Sequence, residues 1–274
     1  MFNKETCKQC GACLTKCPYI EIAPKEAQKE IALMIEGQGT KGVIRSCIGC
    51  GYCDIICPTQ SNPSHLRAEI RQKKIRKTGV NALWILSDEV PMNLMTMGLE
   101  FEKEKKLKKI DLSSQTIPCK EVFFLGCVIS YIYSDFINTA LLSGLPLIGG
   151  LKFCCGGYVL NQFGEEEAKI KGRQLLKELK DIGVEKIITF CPECDNMIGN
   201  VYPDILPEFD IKSINIVQFL LEQHSKGNIE FATPVKKKVT FHDVCSWRKM
   251  DPEYHDNPRK LLELMGAEIV EMKH

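Results

Sequence analysis

Along the chain, apolar positions fall first into a helical rhythm and then into an alternation of strand and helix. Within PKEAQKEIALMIEGQG, residues 24–39, Ala27, Ile31, Met34 and Ile35 share one face at helical spacing, with Pro24 suited to a first helical position and Gly37 to a stop. SHLRAEIRQKKIRK, residues 64–77, predicts a helix with a serine cap and six basic residues against one acid, and residues 101–109, FEKEKKLKK, are similarly charged. Such runs are usually solvated faces; a docking surface for a redox partner is the sharper reading. Composition turns polar over residues 111–118, which puts a domain boundary near residues 110–120. Beyond it, EVFFLG predicts a strand ending at Cys127, residues 131–142 a helix, and LPLIGGLKF leads to Cys154 and Cys155. GEEEAKIKGRQLLKELKDIG predicts a helix with acids in its first turn and Gly183 at its end, and VEKIITF a strand running into Cys191. INIVQFLLEQ then predicts a helix, KKVTFHDVC a strand reaching Cys245, NPRKLLELMG a helix and AEIVEM a last strand. This alternation argues for an α/β domain with a mainly parallel sheet.

The most apolar run, residues 122–151, is interrupted by Asp135, Asn138, Pro146 and four glycines. A spanning helix wants about 20 continuous apolar residues, so this run reads as buried strand, helix and strand. Over the 274 residues, 44% are hydrophobic, 26% are charged and the net charge is +1. Those values suit a soluble globular protein and give no bulk electrostatic argument for nucleic acid or an anionic membrane. Fifteen cysteines are too many for a cytosolic protein of this size unless they hold metal. The segment MFNKET before Cys7 leaves no room for a signal peptide, so a cytoplasmic chain is expected.

CKQCGACLTKCP and CIGCGYCDIICP repeat one pattern: Cys7, Cys10, Cys13 and Cys17 precede Pro18, and Cys47, Cys50, Cys53 and Cys57 precede Pro58. This is the C-x2-C-x2-C-x3-C-P spacing of bacterial ferredoxins, in which three thiolates of one loop serve one cube and the fourth serves the other. Cys7, Cys10, Cys13 and Cys57 are therefore expected to hold one [4Fe–4S] cluster, and Cys47, Cys50, Cys53 and Cys17 the second. Paired structural zinc sites are the competing reading, but zinc usually takes two C-x2-C pairs across a longer loop. The helical connection between the copies resembles the α-helical ferredoxin domains in iron–sulfur subunits of respiratory complexes.

In a parallel sheet, ligands gather beyond the carboxyl ends of the strands. Cys127, Cys154, Cys155, Cys191 and Cys194 follow predicted strand ends or adjoining loops, so they would converge on one crevice, with Gly156 and Gly157 letting the backbone approach closely. Buried structural cysteines, or a thioredoxin-like dithiol at residues 191–194, are the plainer alternatives. Cys127, then Cys154-Cys155-Gly156, then Cys191-x2-Cys194 resembles the cysteine-rich CCG domain. Its family includes the catalytic subunit of heterodisulfide reductase, the iron–sulfur subunit of anaerobic glycerol-3-phosphate dehydrogenase and lactate-utilisation proteins. The resemblance implies a third, noncubane [4Fe–4S] cluster held by those five cysteines, with Cys154 and Cys155 at the reaction site where a disulfide is cleaved. Cys119 has no place in the motif, and His242 with Asp243 is a tempting proton-donor pair that such strand-end residues more often fill structurally.

The expected fold is multidomain α+β: an α-helical double-cubane ferredoxin domain over residues 1–78, a connecting segment over 79–118, and an α/β CCG domain with a mainly parallel sheet over 119–274. The family usually carries two CCG repeats. VTFHDVCSWRK parallels VFFLGCVISY, but a second cysteine pair at the same offset would fall at residue 272, where none exists. The second repeat is incomplete, either because the chain is a fragment or because one site is enough, and a partner chain would then complete the pocket. No G-x-G-x-x-G is present, so electrons must come from another protein or subunit. The expected function is an oxidoreductase subunit of anaerobic metabolism, passing electrons through two cubanes to the cysteine-rich site to reduce a disulfide. Its partner would be a flavoprotein, or a membrane cytochrome or quinone-reactive subunit holding it at the inner face of the membrane. The competing function is a non-catalytic electron carrier linking a flavoprotein dehydrogenase to a quinone or cytochrome; a redox sensor with oxidisable thiols is the third.

Overall fold

The computed structural model describes residues 2–79, 86, 93, 119–132, 144–247 and 250–272. The chain divides into two compact units, Met1–Ala82 with Tyr158–Glu167, and Leu83–Gly157 with Ala168–His274. The charged stretch over residues 101–109, the polar stretch over 111–118 and most of the connecting segment lie outside the described residues.

The first unit contains α1 (Ala12–Thr15), α2 (Pro24–Ile35), α3 (Lys41–Ser46), α4 (Tyr52–Ile55) and α5 (Pro63–Arg76). Helix α2 starts at its proline and turns Ala27, Ile31 and Met34 inward against Leu14, Val43, Ile44, Leu66 and Ile70. Glu30, on the same buried face, accepts from the Thr40 amide at 2.7 Å, and the Thr40 hydroxyl in turn caps α3 by accepting from the Val43 amide. A buried carboxylate is thus used to join two helices.

Helix α5 departs from expectation at its start. Pro63 takes the first helical position after Asn62, and Ser64 lies inside the helix rather than capping it. Asp54 of α4 supplies the missing acceptor: the Ser64 amide donates to Asp54 Oδ1 at 2.8 Å, and the Ser64 hydroxyl donates to Oδ2. The basic run along α5 is also not uniformly solvated, since Arg67 is only 3% exposed.

In the second unit, β1 (Glu121–Leu125) leads directly into α6 (Gly126–Ile132), and β2 (Leu147–Gly149) follows. Further along the chain come α7 (Gly157–Phe163), which apart from Gly157 belongs to the first unit, α8 (Glu165–Asp181), whose first three residues do too, and then, in the second unit, β3 (Lys186–Thr189), α9 (Pro192–Asn196), a π-helical turn at Met197–Val201, α10 (Tyr202–Ile205), β4 (Lys212–Asn215) and α11 (Ile216–Ser225). The four strands form one sheet in the order β2-β1-β3-β4, parallel throughout. Val122 through Leu125 are all buried, and Phe123 meets Phe190 and Phe219 edge-on, each at 5.7 Å between ring centres. Of the helix expected over residues 131–142, only the first two positions are described, as the end of α6.

Two expectations fail here. The stretch read as one helix, INIVQFLLEQ, begins in strand β4, because Ile214 and Asn215 pair with Ile188 and Thr189 before the chain turns helical. KKVTFHDVC is not a long strand reaching Cys245: only β5 (Lys238–Val239) is extended, and it pairs with β6 (Glu268–Ile269) in a separate two-stranded sheet. Helix α12 (Glu253–Leu264) connects them, and Arg259 on it donates to both Asp243 carboxylate oxygens, at 2.8 and 2.9 Å, and to Glu271.

Candidate iron–sulfur sites

The two cysteine repeats fold alike. Gln9 and Gly49 both have positive φ, as do Gly11 and Gly51, which then open α1 and α4. Each loop thus reverses within a few residues. Cys17, Cys47, Cys50 and Cys53 line a single pocket, together with Tyr19, Ser64 and Arg67. A thiol of the first repeat therefore shares a cavity with three of the second.

The end of the second repeat also lies close to the start of the first. Ser61 ties the end of the second repeat to the chain just before Cys7: its carbonyl accepts from the Asn3 amide at 3.0 Å, and its hydroxyl lies 3.0 Å from the Thr6 hydroxyl. The Ser61 amide donates to Cys57 Sγ at 3.4 Å. Cys13 lies within electrostatic reach of Cys10, Cys7 and Cys57. Burial pushes the Cys13 thiol up to about 11 and the Cys53 thiol up to about 12, against the pull of the Arg67 charge in both cases. The described residues contain no group of three or more His, Cys, Asp or Glu set for a single metal ion. A cube asks for something else, one thiolate for each of four irons. Eight soft thiol donors from the two repeats suit that demand.

The second unit gathers Cys127, Cys154, Cys155, Cys191 and Cys194. Parallel pairing puts the carboxyl ends of β1, β2 and β3 on one edge, and these cysteines follow those ends in turn. The thiols form a contact chain: Cys127 and Cys155 donate to Cys154, and Cys194 bridges Cys155 and Cys191. Those bonds hold Cys154 well below the ordinary thiol range and Cys191 down to about 7, and push Cys127 and Cys194 up. A Cβ on Gly126 would stand 2.8 Å from Cys194 Sγ, so the close approach of β1 to α9 requires glycine there.

Residues that the cysteine spacing could not reveal support this cluster of thiols. The Tyr202 hydroxyl, fully buried, donates to the Cys155 carbonyl at 2.6 Å. Lys171, 6% exposed, donates to the Lys152 carbonyl at 3.1 Å. Glu193 lies between Cys191 and Cys194, packs against Gly157 and accepts from the Ser246 hydroxyl. Asp195, next to Cys194, accepts from Thr189 of β3 at 3.4 Å and Ser213 of β4 at 3.3 Å. The turn after α9 is π-helical, a form frequent at functional sites. Cys119 sits before β1, at the opposite edge of the sheet, and Cys245 is exposed. His242 is exposed, while Asp243 is committed to Arg259 and His255.

The 4Fe-4S dicluster domain family matches residues 1–58, and the cysteine-rich domain family matches residues 122–199. An uncharacterized iron–sulfur protein of Methanococcus maripaludis is 24% identical over 97% of this chain and 56% of its own length. A subunit of the dihydromethanophenazine:CoB–CoM heterodisulfide reductase of Methanosarcina barkeri is 21% identical over 99% of this chain and 76% of its own length. The EtfAB:quinone oxidoreductase of Syntrophomonas wolfei is 25% identical over 56% of this chain and 22% of its own length. The chain thus spans little more than half of the Methanococcus relative. No solved structure matches. A dicluster domain whose cofactors are two [4Fe–4S] clusters, joined to a cysteine-rich domain, makes this chain an iron–sulfur electron-transfer protein related to a heterodisulfide reductase subunit and to EtfAB:quinone oxidoreductase.

Proposed function

We propose that this chain is a subunit of a disulfide-reducing oxidoreductase. Cys7, Cys10, Cys13 and Cys57 hold one cluster, Cys47, Cys50, Cys53 and Cys17 the second, and Cys127, Cys154, Cys155, Cys191 and Cys194 a third, noncubane one. When bound, the clusters supply one-electron transfer. The overall reaction takes one substrate disulfide, two electrons and two protons to two thiols. The electrons come from a redox partner subunit, a flavoprotein or a membrane cytochrome. The chain's own residues position the reaction: Tyr202 fixes the backbone of the cysteine pair, Glu193 and Asp195 fix the loop of Cys191 and Cys194, and Lys171 holds the carbonyl of Lys152 behind them. The observation that carries this reading is the convergence of five thiols at the carboxyl edge of a parallel sheet. The similarity to a heterodisulfide reductase subunit supports it. No helix among the described residues is long and apolar enough to cross a membrane.

The similarity to EtfAB:quinone oxidoreductase favours a second reading, in which the chain only conducts electrons between a flavoprotein and a quinone-reactive partner. Iron and acid-labile sulfide per chain, on anaerobically purified protein, separate the two. Two cubanes need about 8 irons, and a third four-iron cluster raises this to about 12. A value near 12, with an EPR signal on oxidation in the presence of a thiol that is lost in Cys154→Ser, supports the reductase. A value near 8 with no such signal sinks it in favour of the conductor.

A further inference from the structure

Arg67 is a charge withdrawn from water. Among the basic residues of α5, Lys73, Lys74 and Arg76 are exposed and Arg71 is half-buried, whereas Arg67 is 3% exposed. Its Nη2 donates to the Cys13 carbonyl at 3.4 Å, a long bond to a neutral group. Its Nε is buried with no hydrogen-bond partner. Its nearest titratable neighbours include the thiols of Cys53, Cys47, Cys13 and Cys17, and it lines the pocket that contains Cys17, Cys47, Cys50 and Cys53.

A buried guanidinium is costly unless an opposite charge and hydrogen bonds compensate it. A [4Fe–4S] cluster with four thiolate ligands is net negative, and its sulfurs accept hydrogen bonds. Both needs of Arg67, a counter-charge and an acceptor for Nε, are met by one occupant of the cavity.

We infer that Arg67 is the internal counter-ion of the cluster held by Cys17, Cys47, Cys50 and Cys53, donating its Nε–H to a sulfur of that cluster and raising its reduction potential. The inference rests on the proposed ligand sets. The sign follows from charge: reduction makes the cluster more negative, and a fixed positive charge in a low-dielectric cavity favours the more negative state. Lysine could keep the charge but not the geometry, since its ammonium lacks the planar fork and the Nε position.

The test is an EPR-monitored redox titration of the full chain, with iron and sulfide counted on each sample, for the native protein, Arg67→Gln and Arg67→Lys. Arg67→Gln is expected to keep the native iron count and to disfavour reduction of one cluster about tenfold, equivalent to ~59 mV for one electron, with the other cluster moving less. Arg67→Lys should shift the same cluster by a smaller amount. A purely structural Arg67 would leave both potentials in place, and unmoved potentials at full iron content overturn the inference. If the native protein itself lacks two cluster signals, the two-cluster reading falls and the role of Arg67 falls with it. Loss of one cluster in Arg67→Gln with retention in Arg67→Lys supports the counter-ion role. If neither variant loads, native protein labelled with 15N-arginine decides, with Arg71→Lys as the control. An arginine nitrogen coupled to a reduced cluster in pulsed EPR supports the inference, and its absence overturns it.

Discussion

The Tyr202 hydroxyl donates to the Cys155 carbonyl oxygen across 2.6 Å, inside the protein and immediately before a glycine, Gly156, whose φ is +81°. The two features belong together. A positive φ turns the Cys155 carbonyl out of any regular ladder, and a buried carbonyl needs a donor. A Cβ on Gly156 would stand 2.6 Å from the same hydroxyl, so the donor can come this close only because residue 156 is glycine.

Tyr202→Phe removes the donor and leaves the carbonyl unsatisfied, which costs about 1–3 kcal/mol. Gly156→Ala adds a strained backbone to a clash and should cost more, above about 2 kcal/mol. Both variants should lower the melting temperature, and iron analysis should show selective loss at the cysteine-rich domain with the ferredoxin-type signals intact. Equal loss of all cluster signals would mean that Tyr202 serves global stability rather than the cysteine pair.

Two cysteines serve as internal controls. Cys119 precedes β1 at the edge of the sheet away from the five thiols, and Cys245 is exposed in a short 3₁₀ turn. Cys119→Ser and Cys245→Ser should keep the native iron content and shift stability by less than about 0.5 kcal/mol, as surface changes do. Cys127→Ser should lose the iron of the proposed third cluster. Iron loss in Cys245→Ser to the same extent would place that thiol among the ligands and contradict the five-cysteine set.

How much of the fold and the sites is legible in the sequence divides along the range of the interactions. The two ferredoxin-type repeats are plain because cluster ligation imposes spacing on neighbours in sequence. Strands β1 and β3 are plain because Phe123, Phe124, Ile187 and Ile188 are buried on both faces and read as continuous apolar runs. Strand β4 is hidden because it is four residues long and its Ile214 merges with the apolar face of α11. The strand expected up to Cys245 fails because alternation over KKVTF describes an edge pair that β6 can match for only two residues. Arg67, Tyr202 and Lys171 leave no signal at all. In sequence each is an ordinary helix residue, and only tertiary packing turns it inward.

Asp54 offers a prediction about the link between the second repeat and α5. Its carboxylate is buried and accepts from both the amide and the hydroxyl of Ser64, so it caps α5 from the helix that carries Cys53. Removing such a cap costs about 1 kcal/mol, with up to about 2 in favourable sites. Asp54→Ala should therefore lower stability by that amount and, more tellingly, speed iron release from the second cluster to a chelator under anaerobic conditions. Asp54→Asn keeps an acceptor oxygen and should fall between. If release rates are unchanged in Asp54→Ala, the cap stabilises α5 without reaching the cluster loop.

The repeat itself provides the most controlled comparison. Gly11 and Gly51 occupy equivalent places, open α1 and α4, and have nearly equal backbone angles, φ +73° and +69°. Their surroundings differ. A Cβ on Gly11 would meet Ala27 Cβ at 2.9 Å and the backbone of α2 at 3.0 Å, while one on Gly51 would meet nothing within 4 Å. Gly51→Ala should therefore report only the cost of a left-handed alanine, roughly 1–2 kcal/mol. Gly11→Ala should report that cost plus the displacement of α2, whose backbone cannot yield as a flexible side chain could, for roughly 1–3 kcal/mol more. Thermal bleaching of the visible cluster absorbance would measure both, with Gly11→Ala bleaching at the lower temperature. Equal losses would mean that α2 shifts freely over the first cluster loop, and that the buried face of Ala27, Ile31 and Met34 does not hold that loop in place.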